Sequence, residues 1–178
     1  MRYSQIRSMD VSNGIGIGVA VFTQGCPIRC FNCFNPETWD YDKGDEWTDT
    51  EEGFVIKLMS SEHIVRLSIL GGEPLIDRNI VPLTKLLTRV HNTYPNKSIW
   101  LYSGQCLEKM KETCQGVLTL VDILIDGPYV DARKDYKLHW RGSSNQRIID
   151  MQKTFANMKK RNAHTFIPQD IVLREDLY

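Results

Sequence analysis

Val65-Arg66-Leu67-Ser68-Ile69-Leu70-Gly71-Gly72, then Pro82, Leu83, Leu86, Leu87 and Val90, then Ser98-Ile99-Trp100-Leu101-Tyr102: this stretch decides the fold. Residues 65–70 alternate and stop at two glycines, which reads as a strand and its turn. The leucines and Val90 recur at helical spacing, so a helix is expected with Pro82 in its first turn and its end at Pro95-Asn96. Residues 98–102 form a second apolar strand that stops at Ser103-Gly104. Strand, long helix, strand is a βαβ unit, and such units build a parallel sheet.

The same alternation extends in both directions. Upstream, Gly18-Val19-Ala20-Val21-Phe22-Thr23 is apolar and β-branched, and ends at Gln24-Gly25. A helix is expected from about Thr48 or Asp49, with Glu51 and Glu52 in its first turn and Phe54, Val55, Leu58 and Met59 on one side. Downstream, a short helix is expected over Leu107–Thr113. Leu120–Ile125 then forms a strand closed by Asp126-Gly127-Pro128, and Arg147-Ile148-Ile149-Asp150 a last strand. The class is α/β, with a main domain over 1–150 and a C-terminal helix and tail over 151–178. In open sheets of this kind the ligand lies beyond the C-terminal strand ends. Those ends carry Gly25-Cys26, Gly71-Gly72-Glu73, Ser103-Gly104 and Asp126-Gly127, all expected on one edge.

Composition narrows the function. The chain has 178 residues, too few for a complete eight-fold β/α barrel. Lys plus Arg is 22 and Asp plus Glu is 22, so net charge gives no reason to expect nucleic acid or an anionic membrane as a partner. There is no apolar run long enough to span a bilayer, and Met1-Arg2-Tyr3-Ser4-Gln5 lacks a signal-peptide stretch, so the expected compartment is the cytoplasm. Five cysteines, an odd count, fit poorly with a disulfide framework.

Three of the five lie in Gln24-Gly25-Cys26-Pro27-Ile28-Arg29-Cys30-Phe31-Asn32-Cys33-Phe34-Asn35-Pro36. Thiolates at this spacing suit iron–sulfur clusters or zinc. A cubane cluster usually takes four cysteines, so three leave one iron open to a substrate, whereas structural zinc would want a fourth ligand. The nearest candidates for that fourth ligand are His63, Cys106 and Cys114. Cys106 and Cys114 read better as small apolar residues, and His63 and His139 lack ligand-like neighbours. In Gly71-Gly72-Glu73-Pro74, two glycines permit close backbone approach, and Glu73 can accept hydrogen bonds from an ammonium group.

With the cysteine loop and Gly-Gly-Glu in this order, the chain resembles the radical S-adenosylmethionine enzymes. Its length and further motifs are similar to the activating proteins of anaerobic ribonucleoside-triphosphate reductase. Those motifs are Val11-Ser12-Asn13-Gly14, Phe34-Asn35-Pro36-Glu37-Thr38-Trp39, Ile99–Gly104, Val121–Gly127 and Trp140-Arg141-Gly142-Ser143-Ser144-Asn145-Gln146-Arg147. The resemblance covers about Tyr3 to Asp150. It implies a partial, open β/α barrel of mostly parallel strands. It implies a [4Fe-4S] cluster on Cys26, Cys30 and Cys33, and S-adenosylmethionine against Asn32, Cys33, Phe34, Gly71, Gly72, Glu73 and Asp126. Asn32 stands where the superfamily often carries an apolar or aromatic residue against adenine, so Phe31 or Phe34 is expected to make that contact. Arg141 and Asn145 are expected either to bond loop carbonyls or to face a partner protein.

The implied activity is reductive cleavage of the cofactor to a 5′-deoxyadenosyl radical, which makes a glycyl radical on the large subunit of the reductase. Reduced flavodoxin or ferredoxin is the implied electron donor. The alternatives are an activase of another glycyl-radical enzyme, such as pyruvate formate-lyase, and a zinc-stabilised binding module.

Overall fold

The computed structural model describes all residues, 1–178. Seven strands form one sheet in the order β3-β1-β2-β4-β5-β6-β7. They are β1 (Arg2–Asp10), β2 (Gly18–Thr23), β3 (Asp45–Glu46), β4 (Arg66–Gly71), β5 (Ser98–Tyr102), β6 (Ile123–Asp126) and β7 (Arg147–Asp150). The helices are α1 (Asp49–Met59), α2 (Asp77–Thr93), α3 (Gln115–Leu118) and α4 (Met151–Lys160). The centre, β2-β4-β5-β6, is parallel. Both flanks are antiparallel, through β1 with β2 and β3 and through β6 with β7. The sheet is mixed α/β and is not closed. No helix is long and apolar enough to cross a membrane.

Strand alternation sorts the side chains to two faces. Val19, Val21, Leu67, Ile69, Ile99, Leu101, Leu124 and Ile149 meet the helices in one core of 25 buried residues. Ala20, Phe22, Leu70, Trp100, Ile123, Ile125 and Ile148 face the other way in two smaller clusters. On that second face the segment after β1 is pinned by Arg66, which is fully buried. Its guanidinium meets Asp10 at 2.9 Å, and it also bonds Ser68 Oγ and the carbonyl of Ile15.

Several elements differ from their sequence-based bounds. β1 is polar along most of its length and half exposed, so it lacks the apolar signal that marks β2. α1 begins as expected, since Thr48 and Glu51 form a capping box. α2 begins at Asp77, before Pro82, which therefore stands inside the helix rather than in its first turn. Asp77 favours this earlier start, because it sits at the positive helix end and pairs with Lys111 at 2.8 Å. The expected helix over 107–113 is two short 3-10 turns, followed by α3. β6 starts only at Ile123, after Asp122 has accepted the Ile99 N–H at 2.8 Å.

Residues 151–178 build onto the β7 edge. Met151, Phe155 and Met158 of α4 enter the main core, and Phe166 packs edge-on to Phe155 at 5.0 Å. The chain then returns along β7: Asp150 N–H donates to the Val172 carbonyl and Arg174 N–H to that of Ile148.

Candidate functional site

Because the central strands are parallel, their C-terminal ends share one edge, and a cavity of about 750 Å³ opens there on the second face. Cys26, Cys30, Cys33, Phe34, Gly71, Gly72, Glu73, Tyr102, Gly104 and Trp140 are among the residues that line it.

The cysteine loop leaves β2 and is clamped at its base. Gln24 is buried, and its Nε2 donates to the carbonyls of Glu37 at 3.0 Å and Asp40 at 2.8 Å. Gly25 N–H and Cys26 N–H bond the carbonyls of Thr38 and Trp39. Between these ties the loop turns through left-handed conformations at Arg29 and Asn32. All three thiols are free and half-buried. Burial pushes the Cys26 and Cys30 thiols up, while main-chain N–H groups of Arg29 and Ile28 at Cys26, and of Tyr129 at Cys30, pull them down. Asn35 N–H points at Cys33 Sγ, 3.4 Å away. Burial outweighs these donors at Cys26 and Cys30, which are held above their ordinary value, while the same amides can donate to sulfur once a metal binds. No three His, Cys, Asp or Glu side chains, these cysteines included, converge tightly enough for a single ion. Three thiols spread around one cavity, with amide donors behind them, suit a cluster several ångströms across.

Glu73 follows β4. Gly71 and Gly72 bring it there by letting backbones touch: a Cβ on Gly71 would lie 2.7 Å from Thr23 N and O, and one on Gly72 2.5 Å from the Gly25 carbonyl oxygen. The glycines thus serve the chain's own packing against the cysteine loop, and Glu73 N–H completes it by bonding the Gly25 carbonyl. The Glu73 carboxylate is fully buried and accepts from Leu75 N–H (3.0 Å), Ser103 Oγ (2.9 Å) and Gly104 N–H (2.9 Å). All three donors are neutral, and no cation pairs with it. Desolvation accordingly pushes its carboxyl above the ordinary range, although the hydrogen bonds oppose the shift.

The remaining expected residues separate. Phe34 lines the cavity, 55% exposed, with its ring 5.0 Å from that of Tyr129. Asn32 is exposed, bonds Asp131 at 3.2 Å and is not in the lining, and Phe31 is also outside it. Asp126 is fully buried away from the cavity, where its carboxylate accepts from Arg147 Nε (2.8 Å) and Leu107 N–H (2.8 Å). Its neighbour Gly127 reaches the lining instead. Cys114 is buried in the main core, and His63 is exposed beside Glu62.

A further wall of the cavity comes from the segment before β7. Gln146 Oε1 accepts from Gly142 N–H at 2.9 Å, its Nε2 donates to the Gly127 carbonyl, and Asn145 Nδ2 donates to that of Pro128. Asn145 therefore bonds a loop carbonyl. A Cβ on Gly142 would lie 2.7 Å from the Phe34 ring, so this glycine lets the wall meet the cysteine loop. Tyr102, whose buried hydroxyl has no partner, and Arg141 also line the cavity. Sequence reasoning gave Tyr102 no role. Its position beside Ser103-Gly104 at a parallel strand end is the signal that could have found it.

A protein-family model described as a 4Fe-4S single cluster domain matches residues 12–149. The chain is 35% identical over 150 residues to an anaerobic ribonucleoside-triphosphate reductase-activating protein of Vibrio cholerae serotype O1, covering 83% of this chain and 97% of the relative. The protein of that name from Escherichia coli strain K12 is 35% identical over 148 residues, 82% of this chain and 96% of the relative. Its namesake from Enterobacteria phage T4 is also 35% identical over 148 residues, 83% of this chain and 93% of the relative.

Proposed function

This chain belongs to the family of anaerobic ribonucleoside-triphosphate reductase-activating proteins, and from that premise we propose that it makes a glycyl radical on the large subunit of such a reductase. The observation that carries the reading is one cavity holding three thiols and a fully buried carboxylate that has no cation. Cys26, Cys30 and Cys33 would hold a [4Fe-4S] cluster, and Glu73 would take the ammonium group of S-adenosylmethionine. Bound there, cluster and cofactor supply a 5′-deoxyadenosyl radical by reductive cleavage, the electron coming from a donor such as reduced flavodoxin or ferredoxin.

The protein's own work is positioning. Glu73 is held by three donors from two strand ends, so its carboxylate is already aimed before an ammonium arrives, which cuts the entropy lost on binding. Gly71 and Gly72 lock that strand end to the cysteine loop, fixing the carboxylate relative to the thiols. Phe34 and Tyr129 offer apolar surface on the lining for the adenosyl half. The cavity is open, and a docked segment of the partner would close it and exclude water.

The test is anaerobic. Reconstituted, reduced protein with S-adenosylmethionine is mixed with the reductase large subunit, and separately with pyruvate formate-lyase. A glycyl-radical doublet with the reductase, matched by 5′-deoxyadenosine, is expected. Absence of any iron–sulfur signature, or one bound zinc and no iron, would overturn the reading. A doublet with pyruvate formate-lyase alone would move it to another partner.

A further inference from the structure

Arg141 is one of two arginines in the cavity lining, with Arg7, and it is incompletely bonded. Its Nη1 donates to the Gln146 carbonyl at 2.9 Å. Its Nε is buried and has no partner. No carboxylate lies within ion-pair distance of it, in contrast to Arg147 six residues on, which holds Asp126 and Glu108. What fixes Arg141 is an aromatic ring: the guanidinium carbon stands 3.8 Å from the ring centroid of Tyr178.

Tyr178 lies in the segment that returns along β7, beyond residue 149 where the family model ends. Its place is set from three directions. Arg174 N–H bonds the Ile148 carbonyl, Ile148 N–H donates to Tyr178 Oη at 3.3 Å, and Leu177 packs on the Trp100, Ile123, Ile125 and Ile148 cluster. Trp140 packs on that same cluster, its ring 6.0 Å from that of Trp100. The tail and the cavity wall therefore rest on one foundation.

We infer that Tyr178 is a positioning residue, which holds the Arg141 guanidinium edge toward the cavity to receive acceptor oxygens of the reductase segment that enters it. The inference rests on the activase reading above. A peptide is the occupant that the surroundings favour. Arg141 lies in the segment before β7 and Glu73 follows β4, so the two come from different strand ends around one cavity. The same rim exposes aromatic side chains, Phe34 and, at 83%, Tyr136. Lys134 stands over both of those rings, and exposed aromatics on a rim that also carries Arg141 are the composition of a protein-binding surface. A stacked arginine with an unpaired edge loses little side-chain freedom when it meets a carbonyl or carboxylate.

The experiment is a double-mutant cycle on the reconstituted protein, reading affinity for the reductase large subunit and, separately, for S-adenosylmethionine. Tyr178→Ala is expected to weaken reductase binding about threefold to tenfold. Tyr178→Phe keeps the ring and should stay within about twofold of wild type. Arg141→Ala should weaken binding at least as much as Tyr178→Ala, and the double variant no more than Arg141→Ala alone, because one residue acts through the other. Iron content and cofactor affinity should be unchanged throughout. Additive losses, wild-type affinity in Arg141→Ala, or a loss confined to cofactor binding would overturn the inference. Failure of the wild-type protein to bind or activate the reductase would instead overturn the activase reading on which it rests.

Discussion

Two carboxylates stand at the ends of parallel strands of one sheet, and both are fully buried: Glu73 after β4 and Asp126 at the end of β6. Asp126 is neutralised within the protein by Arg147, itself shared with Glu108. Glu73 has neutral donors alone and lines the cavity. A buried charge with its counter-ion is architecture, and one without a counter-ion is a place for a ligand that brings it. The same division runs through the arginines: Arg66 bonds Asp10, Ser68 and Ile15, whereas Arg141 keeps an unpaired edge.

The largest expected effect tests whether the cavity side is the metal side. Cys26→Ala, Cys30→Ala or Cys33→Ala should each abolish retention of the cluster, read as iron and sulfide per chain after anaerobic reconstitution. Cys114→Ala, on the core side, should keep the iron and cost some stability, because it opens a small void in the main core. Iron lost from Cys114→Ala and kept in Cys30→Ala would reverse the assignment.

The second effect separates the carboxylates by stability. Asp126→Asn weakens the pairing with Arg147 and opposes an amide to a donor, so unfolding should become easier by roughly 2–4 kcal/mol. That is somewhat below the cost of breaking a wholly dry pair, since Arg147 is partly exposed and retains Glu108. Glu73→Gln loses one accepted bond but also removes a buried, unpaired charge, and should shift stability by about 1 kcal/mol or less. Denaturant midpoints compared with wild type give the answer, and equal losses at both positions would dissolve the distinction.

This distinction was not legible in the sequence, where both residues simply follow apolar strands. Strand ends, the cysteine loop and the shared edge were readable, because parallel buried strands write themselves as continuous apolar runs closed by glycine. Asp126's partner lies across a loop in Arg147, and no local spacing announces that pairing. β1 was missed for a related reason: its alternation is carried by polar residues on a half-covered flank. The wall before β7 was legible as a motif but not as a lining, since Gly142 matters through its contact with Phe34, distant in sequence.

A third effect reads the ligand directly. Glu73→Gln should keep the cluster but bind S-adenosylmethionine about ten- to a hundredfold more weakly, the usual worth of a charge-assisted hydrogen bond. Asp126→Asn should leave that affinity within about threefold wherever the protein remains folded. Calorimetric titration of both variants under anaerobic conditions decides it, and a larger loss in Asp126→Asn would mean that Asp126 is the cofactor's partner after all.

The smallest effect is a pH dependence. Burial raises the Glu73 carboxyl above its ordinary value of 4.5. The folded protein therefore holds this proton more tightly than the unfolded chain does, and stability falls as pH rises from 4.5 through the raised value. A cofactor ammonium favours the ionised carboxylate and cancels that loss, so proton and cofactor compete. Affinity for S-adenosylmethionine should be flat on the alkaline side of the raised value. It should fall, by at most about tenfold per pH unit, as the medium is acidified through that value. Glu73→Gln has no such proton and should bind weakly with no acid limb from this position. Wild type and Glu73→Gln titrated in parallel, at pH values where the cluster remains intact, isolate the effect by difference. Identical profiles in the two proteins would show that Glu73 does not meet the ammonium, and would leave its burial without a counter-ion unexplained.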